Sequence, residues 1–479
     1  MKSQTERYHK QIVMNFLFIT AVLFGASAAF ADQGPIVVTG TRPTAATTTA
    51  QPAAATTQAA KQPAQPAATE TWSSNEGKSW YSGLSGLFSE LTAEDVGSKP
   101  RVKPHFYFNQ GFVSNAQLAS KQVDPAWQAR VAPGITISLP WDRLFAEFDY
   151  TYGFSTTQGK KTHTNLNTHN FDALMRYQIA EKTSIGVSNN IQWSEIPGFP
   201  NDTFMLESLA VQLQHEFTDK LSANTQYTFQ YFNDGTKSDS GTTRENDFAD
   251  NGVSGAIDYD ITDRIMVSPS FSWNIRDFKR VRQKDYWQIS PVLATTVKLF
   301  PKTTVGGHLG WAFRQFREGD NHESELIYGS VLNHRMGRKF VWSVEYDKRL
   351  SDTYDTDFIY REDAETITLD NFDRNFRVLK NHRIGTTANY YFTEKLNMGI
   401  FGDFQFISTD INDNVITGKK NNEKTMEIGT SIAYRINRYF SLNLLYSFGR
   451  RFSANDEEAF TRRDYTFHKV TGGLSMEIG

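Results

Sequence analysis

Residues 221–231 read LSANTQYTFQY, and the two sides of this stretch differ in chemistry. The odd positions hold Leu, Ala, Thr, Tyr, Phe and Tyr, whereas the even positions hold Ser, Asn, Gln, Thr and Gln. Successive side chains of a β-strand point to opposite faces of a sheet, so this alternation predicts a strand with one apolar and one polar face. The pattern recurs at 265–275 and 440–448. Repeated polar faces predict a transmembrane β-barrel with an apolar outside and a wet inside, because hydrocarbon tolerates only a closed sheet.

A recurrent short turn divides the predicted strands into hairpins. An apolar or aromatic residue ends one strand, two or three residues follow, and a Lys or Arg precedes the next strand, as in HEFTDKLS at 215–222 and YYFTEKLN at 390–397. Eight such turns are marked by Arg143, Lys182, Lys220, Arg264, Lys302, Lys339, Lys395 and Arg438. These markers lie 37 to 56 residues apart, which suits one hairpin pair per repeat.

The turns give the number of strands. Eight turns join sixteen strands, and an unpaired strand remains at each end, near 104–113 and 464–478. We therefore predict an all-β fold, an antiparallel up-and-down barrel of about 18 strands over residues 103–479. Nine outer loops are expected near 114–124, 156–165, 195–203, 234–247, 277–284, 317–322, 351–375, 408–421 and 453–462.

Composition excludes several classes of protein. Aromatic residues make up 14% of the chain, yet they stand singly among polar residues rather than in the apolar helical runs of a soluble enzyme. There is no cysteine, so no disulfide, thiol nucleophile or cysteine-ligated metal is available. The net charge of −3 argues against a nucleic-acid partner. The histidines are scattered without a nearby nucleophile or acid on a shared face, so no catalytic site, metal site or cofactor is predicted.

The N-terminal residues have the features of a secretory signal. Basic residues precede an apolar run over 12–25, and Ala29 and Ala31 are the small residues that signal peptidase requires. We expect a signal peptide over 1–31 with cleavage after Ala31. The alternative is a membrane anchor, but the apolar run is shorter than the ~20 residues that a spanning helix needs.

Two further segments precede the barrel. Residues 32–77 include a long Ala, Thr, Pro and Gln stretch that cannot bury enough apolar surface to fold, so a low-complexity periplasmic tether is predicted. Residues 78–102 form the lead-in to the first strand. Within it, apolar residues at roughly helical spacing predict a short amphipathic helix over 78–92.

The end of the chain carries a family resemblance. TGGLSMEI at 471–478 looks like the signal by which the barrel assembly machinery recognises outer-membrane barrels, although the chain ends in Ile478-Gly479 instead of an aromatic residue. From 103 to 479 the chain resembles the bacterial outer-membrane β-barrel porins, some of which accompany exopolysaccharide export loci. The resemblance implies an outer-membrane location and contact with outer-membrane lipid and lipopolysaccharide, and the basic loop 277–284 is where lipopolysaccharide phosphates would be met.

A second resemblance lies near the N-terminus. The stretch PIVVTGTR at 35–42 looks like the segment that opens receptors energised through TonB, with Ile36, Val37, Val38 and Thr39 in the matching positions up to Arg42. Such receptors have a plug domain of well over a hundred residues and a barrel of 22 strands. Only about sixty residues separate Arg42 from the first predicted strand, which leaves no room for a plug. A fortuitous match is therefore preferred to a TonB-coupled receptor.

Charged residues on the polar faces are candidates for lining a pore. The alternation places nine of particular interest inward, and these are Arg176, Arg314, Arg383, Arg435, Asp172, Asp258, Glu345, Asp403 and Glu427. One hypothesis groups the four arginines opposite the acids, so that a transverse electric field crosses the pore. The alternative is that opposed charges pair across neighbouring strands and keep a wide lumen wet.

These features favour an outer-membrane pore for hydrophilic solutes, which the family resemblance extends to polysaccharide export. The competing interpretation is a structural or adhesive surface barrel with a plugged lumen. The longest loop, 351–375, holds eight acidic residues and two arginines. It could fold inward as a constriction, bind calcium or stay solvated, and the sequence leaves these three options open.

Overall fold

A computed structural model describes residues 100–115, 124–141, 143–160, 163–196, 199–234, 247–279, 285–317, 322–352, 378–410, 421–453 and 465–478. The predicted signal peptide, tether, TonB-like stretch and amphipathic helix lie outside these residues, as does most of loop 351–375. None of the described residues belongs to a helix that is long and apolar enough to cross a membrane.

The described residues form one antiparallel sheet of eighteen strands. The strands are β1 Arg101–Val113, β2 Ala126–Pro140, β3 Leu144–Gly159, β4 His163–Ala180, β5 Thr183–Ile196, β6 Phe199–Thr218, β7 Leu221–Asp234, β8 Phe248–Thr262, β9 Ile265–Phe278, β10 Tyr286–Phe300, β11 Thr303–Phe316, β12 His322–Met336, β13 Phe340–Asp352, β14 Val378–Tyr391, β15 Leu396–Asp410, β16 Asn421–Arg435, β17 Phe440–Ser453 and β18 Tyr465–Glu477.

The sheet closes on itself. Each strand pairs with the next along the chain, and β1 also pairs with β18, from His105 opposite Glu477 to Val113 opposite Lys469. A salt bridge between Lys103 and Glu477, with 3.0 Å between Nζ and Oε1, joins the same two strands. The predicted fold, an up-and-down antiparallel barrel of eighteen strands, is confirmed.

All eight predicted short turns connect strands at one end of the barrel, which we call the short-turn end. Neighbouring turns are linked through the carbonyls of their basic residues. For example, the amide of Gln178 donates to the carbonyl of Arg143 at 2.7 Å, and the amide of Arg435 donates to that of Lys395 at 2.7 Å. Both chain ends of the barrel, Arg101 and Glu477, also lie at this end.

The other nine connections lie at the opposite end, the loop end. Two of them are much shorter than predicted, because the strands continue through most of the expected loops 156–165 and 195–203. Strand β3 runs to Gly159 and β4 begins at His163, while β5 ends at Ile196 and β6 begins at Phe199. The polar composition of these stretches suggested loops, but backbone pairing extends hairpins past the apolar part of the strands.

The two faces of the sheet differ as the alternation predicts. On β9, Phe271 and Trp273 are 45% and 40% exposed on the outer face, whereas Ser268 and Arg276 on the inner face are buried. Exposed aromatic residues also form two bands on the outer face: Trp127, Trp193 and Trp287 near the loop end, and Trp141, Phe217 and Phe300 near the short-turn end. Apolar bands bordered by aromatic residues are typical of barrels that span a membrane.

Candidate functional site

The candidate site is the lumen wall, by which we mean the inner face of the barrel. By strand register, all nine pore-lining candidates lie on the face opposite the exposed apolar side chains. On β11, for instance, Phe313 is exposed outside while the next residue, Arg314, is 4% exposed on the inner face. That these residues line a conducting pore stays a prediction.

Four of the candidates come together on β13–β16. Arg383 of β14 contacts Glu345 of β13, with 3.5 Å between Nη1 and Oε1, and its Nε donates to a carboxylate oxygen of Asp403 on β15. Asp403 lies directly opposite Glu427 of β16 in the strand register. The guanidinium is buried, so this is an ion network of the wall and not a free cation. Here charges pair across neighbouring strands, as in the alternative interpretation of the sequence.

A glycine provides the space for this network. Gly385 lies opposite Glu345 in the register, and a Cβ placed on Gly385 would be 2.7 Å from the Oε1 atom of Glu345. Any larger residue would displace the carboxylate that Arg383 contacts. The position of this glycine could not be interpreted from the sequence, because it depends on the register between β13 and β14.

Asp172 and Asp258 have different surroundings. Asp172 accepts hydrogen bonds from the side-chain amides of Asn170 and Asn190, and Asp258 accepts one from the hydroxyl of Ser268. Asp149 lies opposite Asp172 in the register and accepts from the Thr136 hydroxyl at 2.6 Å. These carboxylates are thus held by neutral donors rather than by arginines. They lie on a part of the wall that is distant in the strand order from Arg383.

The structure does not bring the four candidate arginines together. Arg435 is the last residue of β16, where its Nη2 donates to the carbonyl of Glu394 in a short turn at 3.0 Å. Arg176 also lies toward the short-turn end, whereas Arg314 is near the loop end of β11. The alternation predicts the face that a residue occupies, but its height along the barrel depends on the register. The four arginines therefore do not form the single cluster of the transverse-field hypothesis.

Sequence reasoning missed a second charged group near the loop end. Arg276 of β9 donates from Nε and Nη2 to one carboxylate oxygen of Asp250 on β8, at 2.9 and 2.7 Å. Its guanidinium lies 4.5 Å from the ring centre of Phe248, and Arg314 lies 4.2 Å from that of Tyr286. Both arginines are thus stacked on aromatic rings in the wall. Alternation alone would have placed Arg276 and Asp250 inward, but not beside each other.

The loop end of the β13–β14 hairpin folds into the lumen. Pairing between β12 and β13 stops at Tyr328 opposite Lys348, although β13 and β14 stay paired as far as Asp352 opposite Val378. Past Lys348, where β13 is no longer paired with β12, Leu350 packs against Val292, Ala312 and Ile327. These three residues lie on the inner faces of β10, β11 and β12. We call residues 348–352 and 378–382 the inward hairpin end.

Polar contacts hold the inward hairpin end. Lys348 makes an ion pair with Glu325 of β12, and the Nζ of Lys380 lies 3.4 Å from the same carboxylate. Arg314 of β11 donates to the carbonyl of Ser351 at 3.3 Å. These residues were not singled out in the sequence, because the alternation puts Lys348 on the outer face of β13. That face meets the lumen wall only because the hairpin bends over β12.

Two histidines lie beside carboxylates, contrary to the expectation that none would. The Nε2 of His308 is 3.3 Å from Asp347, and the Nδ1 of His105 is 3.6 Å from Asp149. The Nε2 of His105 also lies 3.0 Å from the hydroxyl of Thr151. Within the described ranges, no three His, Asp or Glu side chains are grouped to hold a metal ion.

The fold and its wall define the class of protein: a closed transmembrane β-barrel with a polar, charged interior. No protein-family model and no curated protein sequence matches the chain. Among solved structures, Acinetobacter baumannii OccAB4 is similar with a TM-score of 0.46 and 10% identity over 81% of this chain and 100% of that chain.

Two other solved structures are similar to the same degree. For Pseudomonas aeruginosa OpdQ the TM-score is 0.43 and the identity 14%, over 80% of this chain and 100% of that chain. For the FrpB iron transporter of Neisseria meningitidis the values are 0.44 and 9%, over 78% and 82%.

Proposed function

We propose that this protein is an outer-membrane channel through which hydrophilic solutes cross passively. The observation that carries the proposal is the contrast between the two faces of a closed barrel of eighteen strands, apolar outside and polar inside. Barrels of about this strand number are too wide for the side chains of the wall alone to fill, so water occupies the lumen. Barrels of this kind occur in bacterial outer membranes, where the predicted signal peptide would direct the chain.

The orientation follows from the connections. Outer-membrane barrels have short turns toward the periplasm and longer loops toward the outside. The short-turn end would therefore face the periplasm, together with Arg101 and Glu477, and the loop end would face the medium. In this orientation the predicted tether, residues 32–77, starts on the periplasmic side.

The signs of the charges on the lumen wall affect which solutes the channel accepts. The wall has arginine–carboxylate networks around Arg383 and Arg276, and carboxylates with neutral donors at Asp149, Asp172 and Asp258. Both signs are thus present, which suits a channel for small hydrophilic solutes in general. Export of a polysaccharide stays a prediction from the family resemblance.

Single-channel conductance of the refolded mature protein in planar bilayers tests the proposal. We expect steady conductance both for the whole mature chain and for a variant without residues 32–100. Conductance in the truncated variant alone would assign a plugging role to the N-terminal segment, and would favour a TonB-coupled receptor that uses Ile36–Arg42. Silence in both forms, with the barrel inserted, would contradict the channel.

A specific observation favours the second candidate, a structural barrel with a filled lumen. Leu350, Val292, Ala312 and Ile327 form a buried apolar cluster inside the barrel, where a freely open channel would have water. This cluster occupies one side of the wall at the inward hairpin end. The silent outcome of the conductance experiment is the result that this alternative expects.

A further inference from the structure

The eight short turns divide into two groups by charge. In the first four turns an acidic residue directly precedes the basic one, as in Glu181-Lys182 and Asp219-Lys220. We call these turns, 141–143, 181–182, 219–220 and 263–264, the balanced arc. The last four turns, 301–302, 337–339, 392–395 and 436–439, hold five basic residues and a single acidic one, Glu394 before Lys395, so they have an excess of positive charge, and we call them the basic arc. Because β10 to β17 are consecutive in the sheet, the basic arc is one continuous part of the rim.

The cations of the basic arc are exposed and have no acidic partner among the described residues. They are Lys302, Arg338, Lys339, Lys395 and Arg438. The Nζ of Lys339 donates to the backbone carbonyl of Phe392 at 3.2 Å, which leaves its charge uncompensated. In the balanced arc, one of the four cations, Lys182, lies 3.9 Å from the carboxylate of Asp219 in the neighbouring turn.

Each turn of the basic arc also has an exposed apolar residue on its membrane side. Phe300 and Met336 are 66% and 62% exposed, and Phe392 and Ile436 are exposed as well. These side chains precede the basic residues by two or three positions. An apolar side chain at the edge of the hydrocarbon and a cation just beyond it are the arrangement that meets lipid acyl chains and phosphate groups together. A soluble acidic partner would contact the cations but not these apolar residues, whereas a lipid contacts both.

We propose that the basic arc binds the head groups of anionic phospholipids in the leaflet at the short-turn end. Backbone hydrogen bonds between the turns keep the cations spaced along the rim. The backbone amide of Arg335 donates to the carbonyl of Lys302, and the backbone amide of Tyr391 donates to the carbonyl of Lys339. The balanced arc has similar exposed apolar residues, Trp141, Phe217 and Ile261, but no excess of positive charge. Anionic lipid is therefore held at one side of the barrel. This binding does not depend on whether the barrel conducts.

The experiment counts bound lipids by native mass spectrometry on the refolded protein in neutral detergent. The probes are phosphatidylglycerol and, as the neutral lipid, phosphatidylcholine with the same acyl chains. One variant, K302Q/K339Q/K395Q/R438Q, removes four of the five positive charges of the basic arc, and the matched variant, R143Q/K182Q/K220Q/R264Q, removes four positive charges from the balanced arc. The heat-dependent shift in gel mobility verifies that both variants are folded barrels.

We expect the parent to bind more phosphatidylglycerol than phosphatidylcholine. In the basic-arc variant the ratio of the two bound lipids should fall at least about fivefold, because one cation at an anionic membrane surface contributes about that much. The balanced-arc variant should retain it. Equal losses in the two variants, or a parent that binds both lipids alike, would contradict the proposal. Displacement of the bound lipid by inorganic phosphate would indicate a site for a soluble anion instead. If the fourfold basic-arc variant did not fold, K302Q and R438Q would be tested singly.

Discussion

At the scale of single residues, Arg383 shows how the barrel accommodates a charge in its wall. Its side chain is 8% exposed, and the guanidinium contacts Glu345 on one neighbouring strand and Asp403 on the other. A buried cation with two carboxylate partners is stable only while the partners remain, because each unpaired charge then costs its full desolvation energy. The inward face of all three residues was predictable from the alternation. Their contact was not, because it depends on the register of three strands.

We predict that Arg383→Met lowers the free energy of unfolding by about 3 kcal/mol, the low end for a buried ion pair, because it removes the cation that two partly buried carboxylates share. Urea unfolding of the refolded protein, followed by tryptophan fluorescence, measures the change. The control is the triple variant E345Q/R383M/D403N, which removes the charges of Arg383 and of the two carboxylates that it contacts. It should recover most of the loss, since replacing a whole buried network by neutral groups is often close to neutral. A single variant as stable as the parent would show that water in the lumen compensates the carboxylates.

Among the structural elements, the short turns are defined by their own residues, whereas the inward hairpin end is defined by contacts with other strands. The short turns form where the sequence predicts them, because a few turn residues are enough to define them. In the turn 337–339, for example, Gly337 has a φ of +64°, a conformation that glycine adopts without strain. The inward hairpin end, in contrast, has no local signature. It depends on Leu350 meeting the apolar residues of β10, β11 and β12, and on Lys348 and Lys380 meeting Glu325.

We predict that Glu325→Gln loosens the inward hairpin end, because Lys348 and Lys380 lose their common carboxylate. The chain has no cysteine, so a Ser351→Cys variant provides a unique reporter at a position that is 2% exposed. Labelling of this cysteine by a water-soluble maleimide should become roughly tenfold faster when E325Q is added, which corresponds to the loss of one charge-assisted contact. The matched control is Glu323→Gln, which removes a carboxylate from the same strand. The carboxylate of Glu323 lies 3.9 Å from the Nζ of Lys380, farther than the carboxylate of Glu325 at 3.4 Å. Equal labelling rates with and without E325Q would mean that apolar packing alone holds the hairpin.

At the scale of the whole molecule, the outer face determines where the barrel can lie. Large apolar side chains are exposed on sixteen of the eighteen strands, and bands of exposed aromatic residues lie near both ends of the barrel. In water this surface would drive association, whereas in a bilayer it contacts hydrocarbon and the aromatic residues lie at the interfaces. Closure of β1 on β18 is equally a property of the whole, because it leaves no strand edge to be satisfied by lipid.

We predict opposite tolerance for an arginine at two neighbouring positions of β17. Leu444 is 48% exposed on the outer face, so Leu444→Arg should lower the free energy of unfolding in lipid bilayers by about 2–4 kcal/mol. Asn443 points inward and lies opposite Ala433 and Gly473, where an arginine can extend toward the polar side of the wall, so Asn443→Arg should destabilise the barrel less than Leu444→Arg. Reversible unfolding by guanidinium chloride in the presence of phospholipid measures both. Similar destabilisation by the two variants would mean that the faces have been assigned incorrectly.

The sequence by itself determined the class of fold, the number of strands, the turns and the face on which each side chain lies. These features are local, since alternation operates between adjacent residues and turn chemistry within a few positions. Only the tertiary structure decided that Arg383 meets Glu345 and Asp403, that the four candidate arginines lie apart, and that the β13–β14 hairpin bends over β12. These are relations between strands, and they follow from register and closure, which depend on the summed pairing and packing of the whole sheet and not on any single stretch of sequence.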